Sequence, residues 1–289
     1  MQVSIKIITD STCDLSKSLV KKYDIEVVPL TVNFGEEGFR DGLDISSEEF
    51  FKRLRISEEL PFTSQVNPAH FEEVFKRLLD TEDHLVGIFI SSTFSGTYNS
   101  AVIARNEFSE ELQDRIHLFD SRTSTMALGL IAIEAAKCAI ATDEIKSVCA
   151  RVDYAIAHSK IIFMLDTLEY LSRGGRISSS QAMIGNLLNV KPILTINEAA
   201  EIVKIDKVRG KKKGLRWIVD YILDQGINLK EVPVALGHGD ELENLNLLKG
   251  QFSHAYVDGS GVESCIGAVI GTHLGPGCVG IAYIEAEKK

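Results

Sequence analysis

The chain lacks the cysteine pattern of a disulfide framework or a zinc site. Its five cysteines, Cys13, Cys138, Cys149, Cys265 and Cys278, are odd in number and far apart, and none forms a C-x-x-C pair. They read as reduced, mostly buried thiols of a cytoplasmic protein. The seven histidines include no H-x-x-x-H or other ligand spacing, so a bound metal has no support. No G-x-x-x-x-G-K-[ST] loop occurs, and Gly259-Ser260-Gly261 lacks the third glycine of a dinucleotide loop, which argues against an ATP site on this chain. Positive charge is also scarce: 31 basic against 41 acidic residues leave a formal net charge of −10. With no dense Lys/Arg tract to offset it, nucleic acid is excluded as a partner. The compact basic run from Arg209 to Lys213 opens a predicted helix and reads as a solvated face, with an acidic protein surface as the alternative. The opening Met-Gln-Val-Ser-Ile-Lys has no apolar signal core, and no uncharged run has the length of a membrane span. The expectation is a cytosolic protein with no membrane span.

What the chain has is hydroxyls at strand ends. Three stretches stand out: Thr63-Ser64-Gln65, Ser91 to Thr97, and Asp120 to Thr125. The last two each follow an apolar run that predicts a buried strand (Leu85 to Ile90, Ile116 to Phe119) and precede a helical run. In open α/β sheets, ligands bind beyond the carboxyl ends of the strands, and helix starts there offer free N–H groups to an anion. Many neutral donors with little fixed positive charge suit one small anionic head group, such as a carboxylate, better than a polyphosphate. The plainer alternative is that these residues only cap helices.

Strand and helix signals alternate from Ile5 onward, which predicts a mostly parallel sheet flanked by helices. An apolar strand is expected from Ile25 to Val32, and the charged, Gly-rich segment from Asn33 to Leu60 reads as an insertion. Asn67-Pro68 supplies a cap and a helix-starting proline. The pattern then changes: a helix closed by Gly174-Gly175, a hairpin from Pro192 to Val208, and strands expected at Val232 to His238, Ala255 to Val257 and Val279 to Ile284. The fold class expected is therefore α/β, with an N-terminal domain over residues 1–160 and a smaller α+β domain over 161–289.

Catalytic patterns are incomplete. Asp10-Ser11-Thr12 follows a strand but lacks the second acid of an aspartyl-phosphate motif, and Ser95 lacks the G-x-S-x-G elbow. A triad assembled in space from Ser95, His273 and Asp120 stays open, and with it ester hydrolysis. His273 lies in Gly271-Thr272-His273-Leu274-Gly275-Pro276-Gly277, where flanking glycines let a backbone approach a ligand, unless the histidine is simply bonded inside a tight turn. His238 reads as a strand end, with Asp240 capping the next helix.

Taken together, Thr9-Asp10-Ser11-Thr12 with Asp14, Thr63-Ser64-Gln65-x-x-Pro68, Ser92 to Tyr98, Leu171 to Ile177, Val190 to Leu194 and Gly271-x-His273-x-Gly275-Pro276-Gly277 resemble the DegV family along nearly the whole chain. The resemblance implies a lipid-binding protein of two α/β domains that holds a long-chain fatty acid such as palmitate and uses no other cofactor. In some members the protein is the acyl-carrying subunit of a fatty acid kinase, whose separate ATP-binding subunit phosphorylates the carboxylate. Carried over by motif, Thr63 and Ser95 bind the carboxylate, and Ser64, Gly96 and His273 lie near the head group. Arg173 and Arg176 lie at the mouth or on the partner surface. No residue is assigned a catalytic role, and a regulatory lipid-sensing module remains the further alternative.

Overall fold

The computed structural model describes residues 3–177, 189–252 and 261–286. The first half alternates strand and helix. In order come β1 (Ile5–Asp10), a 3-10 turn (Ser11–Cys13), α1 (Lys17–Lys22), β2 (Glu26–Val28), β3 (Thr31–Phe34), β4 (Glu37–Arg40), α2 (Ser47–Ile56) and β5 (Phe62–Ser64). Then follow α3 (Pro68–Leu79), β6 (His84–Phe89), α4 (Thr97–Asn106), α5 (Glu110–Gln113), β7 (Ile116–Asp120), α6 (Thr125–Ala141) and α7 (Ile145–His158). Strands β2, β1, β6 and β7 form a four-stranded sheet in that order, every pair parallel. A parallel sheet is covered on both faces, so its strands read as continuous apolar runs. Leu85, Val86, Ile88 and Phe89 are accordingly buried. On one face, Phe71 and Phe75 of α3 pack with Phe89 and with Ala101 and Ala104 of α4.

The second half contains β8 (Ser159–Met164), α8 (Glu169–Gly174), β9 (Val190–Ile196), β10 (Ile202–Arg209), α9 (Lys211–Asp224), β11 (Val234–His238), α10 (Leu242–Gln251), β12 (Val262–Cys265), α11 (Ala268–Leu274) and β13 (Val279–Ile284). Its sheet has six strands in the order β10-β9-β8-β13-β11-β12. All pairings are antiparallel except β11 with β12. Leu215, Ile218 and Ile222 of α9 and Leu245 and Leu248 of α10 close one face of this sheet. Helix α6 lies between the two sheets, contacting β1 and β6 of the first and β8, β11 and β13 of the second. Every residue from Thr125 to Ala136 is buried, as expected of a helix apolar on all sides. The α/β architecture with a parallel, helix-flanked first sheet is the one expected.

Two local expectations are corrected, and a third is not tested. The run from Ile25 to Val32 is two strands, not one. Pro29 cannot donate to a ladder, and beyond it the chain leaves the first sheet to build a separate three-stranded sheet, β4-β3-β5. The cap of α10 is Glu241, while Asp240 (φ +57°) instead pairs with Arg55. The strand expected at Ala255 to Val257 lies outside the described residues, and the strand beside β11 is Val262–Cys265.

Candidate functional site

The site starts from the two-residue period of β5. Strand alternation turns Thr63 inward, and Gln65, two residues on, shares its side. Both line a cavity between the two large sheets. The Ser64 side chain does not line it, and its hydroxyl meets Asn33 Nδ2 at 3.1 Å on the outer side. Facing Thr63 is His273, on the last turn of α11 and 210 residues away in sequence, with Oγ1 and Nε2 3.0 Å apart.

The loop after β6 supplies the next hydroxyls. Backbone N–H groups of Phe94 and Ser95 both bond back to the Ser91 carbonyl at 3.0 and 3.1 Å, which curls the loop so that Ser95 and Gly96 face the cavity. Ser95 Oγ meets Thr97 Oγ1 at 2.9 Å. A Cβ on Gly96 would overlap the Gln65 carboxamide, which is held in place by a 3.0 Å bond from Nε2 to Ser100 Oγ. A side chain at this position would have to displace the Gln65 carboxamide from that bond. Arg176, beyond the Gly175 cap of α8, donates from Nε to the Phe94 carbonyl (3.2 Å) and from Nη1 to the Gly174 carbonyl (2.7 Å), and it lines the cavity. Arg173 instead pairs with Glu169 at 2.7 Å, with 62% of its side chain exposed, away from the cavity lining.

Burial, with a smaller contribution from the Arg176 charge, pushes His273 down to about 4. The imidazole is thus neutral near pH 7, and its Nδ1 is buried without a partner among the described residues, close against Gly174. The glycines around His273 do not open a path for ligand backbone contact, as the sequence suggested. Gly271 packs on Phe50 and Phe51, Gly275 (φ +72°) on Tyr170 and Gly277 (φ +79°) on Asp166.

Ser124 and Thr125 at the start of α6 also line the cavity, and the rest of its wall is largely apolar. Ile161 and Phe163 of β8, Ile196 of β9, Ile202 of β10 and Met126 of α6 supply much of its wall. Met126 lies directly over Gly237 of β11, where any Cβ would overlap its methyl group. The cavity volume is about 140 Å³.

Buried carboxylates tie these walls together. Asp14 accepts from Thr125 Oγ1 at 2.6 Å and from the Gly267 N–H at 2.8 Å, joining the starts of α6 and α11. Asp41 accepts from the Ala268 N–H at 2.9 Å. Asp10 accepts from Thr12 and from the Ile90 N–H at 2.7 Å, and burial pushes it up to about 6. Its oxygens are used to hold the turn after β1 against the loop after β6, which leaves no free nucleophile there. A hydrolytic triad is not assembled either. Ser95 bonds Thr97, His273 Nε2 meets Thr63, and Asp120 accepts from Ser92. Among the described residues no group of three or more His, Cys, Asp or Glu side chains is placed to hold a metal, and no helix is long and apolar enough to cross a membrane.

Gln65 belongs to a stretch that stands out in the sequence but is given no role of its own there, and Met126 is not singled out. The alternation that selects Thr63 in a strand also selects Gln65 and rejects Ser64, so that signal was present. Met126 carried none, because its role depends on a glycine in a distant strand.

The chain is thus an α/β protein with a largely apolar cavity between two sheets, into which hydroxyls, the Gln65 carboxamide, the Arg176 guanidinium and a neutral imidazole also face. The DegV family model, described as "Uncharacterised protein, DegV family", matches residues 4–286, and the chain belongs to that family. A DegV domain-containing protein of Caldanaerobacter subterraneus subsp. tengcongensis is 42% identical over 281 residues, covering 97% of this chain and 99% of that one. Among solved structures, a fatty-acid-binding DegV family protein of Thermus thermophilus superposes with a TM-score of 0.89 at 30% identity, covering 98% of this chain and 100% of that one. DegV of Bacillus subtilis, a fatty acid binding protein, gives 0.85 at 31% identity, with 98% and 100% covered.

Proposed function

We propose that this chain binds a long-chain fatty acid, with the carboxylate held by the hydroxyls of Thr63 and Ser95 and the alkyl chain in the cavity behind them. Gly96 and His273 flank the head group, and the unit over residues 161–289 covers the acyl chain. The observation that supports the reading is that Thr63, Ser95 and neutral His273 all line one largely apolar cavity, with Thr63 Oγ1 3.0 Å from His273 Nε2. Burial of the chain supplies the affinity: at about 0.8 kcal/mol per methylene, roughly fifteen methylenes contribute on the order of 12 kcal/mol gross. Lost translation and chain ordering offset a large part of that. Hydroxyl donors orient a carboxylate without clamping its charge as a bidentate arginine does.

Held in this way the carboxylate stays a nucleophile. The chain acts in the cytoplasm as a non-catalytic carrier that presents the carboxylate to a separate ATP-binding fatty acid kinase subunit. Arg176 at the cavity and exposed Arg173 form the surface toward that partner. Phosphoryl transfer depends chiefly on positioning and charge stabilisation, which the partner supplies. Purified chain, palmitate, Mg²⁺ and ATP are incubated with and without kinase subunits from the same cell, and acyl phosphate is trapped as the hydroxamate. The reading expects product only when both proteins are present. Product from this chain alone overturns the carrier role, and no product with any partner reduces the role to lipid binding.

A further inference from the structure

One wall of the cavity is a hairpin whose tip is fastened to the hydroxyl-rich loops by side chains not yet given a role. Ile196 and Ile202, the last residue of β9 and the first of β10, line the cavity from either side of the tip. The tip itself, residues 197–200, is a rigid unit. Asn197 Oδ1 accepts from the Ala199 and Glu201 N–H groups, both at 2.9 Å, and the Ala200 N–H bonds the Asn197 carbonyl at 2.9 Å. These bonds leave the carbonyls of Glu198 and Ala200 facing the first sheet.

Both carbonyls are taken up there. Thr93 Oγ1 donates to the Ala200 carbonyl at 2.6 Å, and the Arg122 guanidinium donates to the Glu198 carbonyl. Docking leaves Ala200 only 3% exposed, although it sits at the tip of a hairpin. Each donor is itself braced. Ser91 Oγ lies 2.9 Å from Thr93 Oγ1, and the Arg122 N–H bonds Asp120 Oδ1 at 3.0 Å. Arg122 (φ +56°) and Ala200 (φ +59°) both hold the left-handed conformation that non-glycine residues avoid. Such backbone persists where surrounding contacts impose it, and it concentrates at clamps and switch regions. β10 is moreover the edge strand of its sheet, paired within the sheet only to β9 among the described residues. β9 is laddered to β8 as far as Thr195, whose Oγ1 also donates to the Ile161 carbonyl at 2.6 Å, so the part of the hairpin that these two side-chain bonds hold against the first sheet is its tip and the start of edge strand β10.

We propose that Thr93 and Arg122 are positioning residues forming a catch that holds the β9–β10 hairpin closed over the acyl chain, so that their release governs lipid entry and exit. This rests on the fatty-acid reading above. Neither residue contacts the head group in the proposal, so losing one changes how fast lipid exchanges more than which lipid binds. Each donor lost removes a bond worth a net factor of about three to ten, and the off-rate rises accordingly.

The test loads the full chain with a fluorescent long-chain fatty acid and follows its displacement by excess oleate in stopped flow. Thr93→Val and Arg122→Asn are compared with the parent; asparagine tolerates the left-handed backbone while removing the guanidinium. Thr93→Ser, which keeps the hydroxyl, is the rescue. The expected result is about three- to tenfold faster release for Thr93→Val and Arg122→Asn, more for the double variant, and parental release for Thr93→Ser. Thermal midpoints of the lipid-free proteins separate the catch from general destabilisation, and the expectation is that release rates do not track them. Parental release rates in both single variants overturn the catch. A parent that takes up no fatty acid overturns instead the reading on which it rests.

Discussion

Removing the imidazole of His273 makes a prediction whose sign and size both follow from its setting. The folded chain holds this ring neutral down to about pH 4, through burial and the nearby Arg176 charge, against an ordinary value of 6.5. As pH falls below 6.5, the unfolded chain takes up a proton that the folded chain refuses. Stability therefore drops as pH falls through the window from 6.5 to about 4, and this contribution is fully present only above it. At about 1.4 kcal/mol per pH unit, the full window amounts to about 3 kcal/mol. Asp10 acts in the opposite sense over much of the same range. Its folded value of about 6, against an ordinary 3.8, favours the folded state as acid is added. The parent curve mixes both effects, whereas the difference between parent and His273→Gln isolates the histidine. Urea unfolding of the lipid-free proteins at intervals from pH 7 to pH 4.5 should show the parent losing about 2 to 3 kcal/mol relative to His273→Gln over that span. A stability difference that does not change with pH would refute the buried neutral imidazole, and with it the electrostatics assigned to the head-group end.

Thr63→Ala and Ser95→Ala should each weaken fatty-acid binding by about 1.5 to 3 kcal/mol, roughly ten- to hundredfold, with the far-ultraviolet spectrum unchanged; parental titration curves for both would remove these residues from the head-group site. Gly237→Ala should push the Met126 methyl group into the cavity and shift the lipid retained from a mixed fatty-acid pool toward shorter chains. The same substitution should cost about 1 to 3 kcal/mol of stability through overpacking, and an unchanged chain-length profile would show that Met126 does not bound the acyl site.

The local elements were legible because each carried its own chemical signal. The Asn67-Pro68 start of α3 is realised with Asn67 Oδ1 accepting from the His70 N–H at 2.8 Å, and Gly175 closes α8 at φ +67°. The apolar run of β6 announced a strand buried on both faces, whereas β7, at the edge of that sheet, is buried only at Ile116. Long-range order carried no such signal. Nothing in Val279–Ile284 says that the last strand lies between β8 and β11, because both partners are distant in sequence. The break at Pro29 was readable in principle, yet the apolar residues on either side of it masked the change of sheet. At the site, the hydroxyl-rich loops are recognisable individually, and only the family motifs suggest that Thr63 and Ser95 share one carboxylate, which is a proposal. The contact between Thr63 and His273 spans 210 residues and is set by Asp14 and Asp41 gripping the start of α11. Ser64 shows the limit of motif transfer, since adjacent strand residues face opposite sides and only alternate positions reach the cavity.

The central claim is that the cavity between the sheets holds a fatty acid by its carboxylate. Native mass spectrometry of the chain purified from cells, followed by denaturation and identification of the released molecule, tests it most directly. The account predicts one long-chain fatty acid per chain in the parent protein and a largely empty Thr63→Ala/Ser95→Ala double variant. A parent carrying no lipid, or a double variant carrying the parental load, would contradict it.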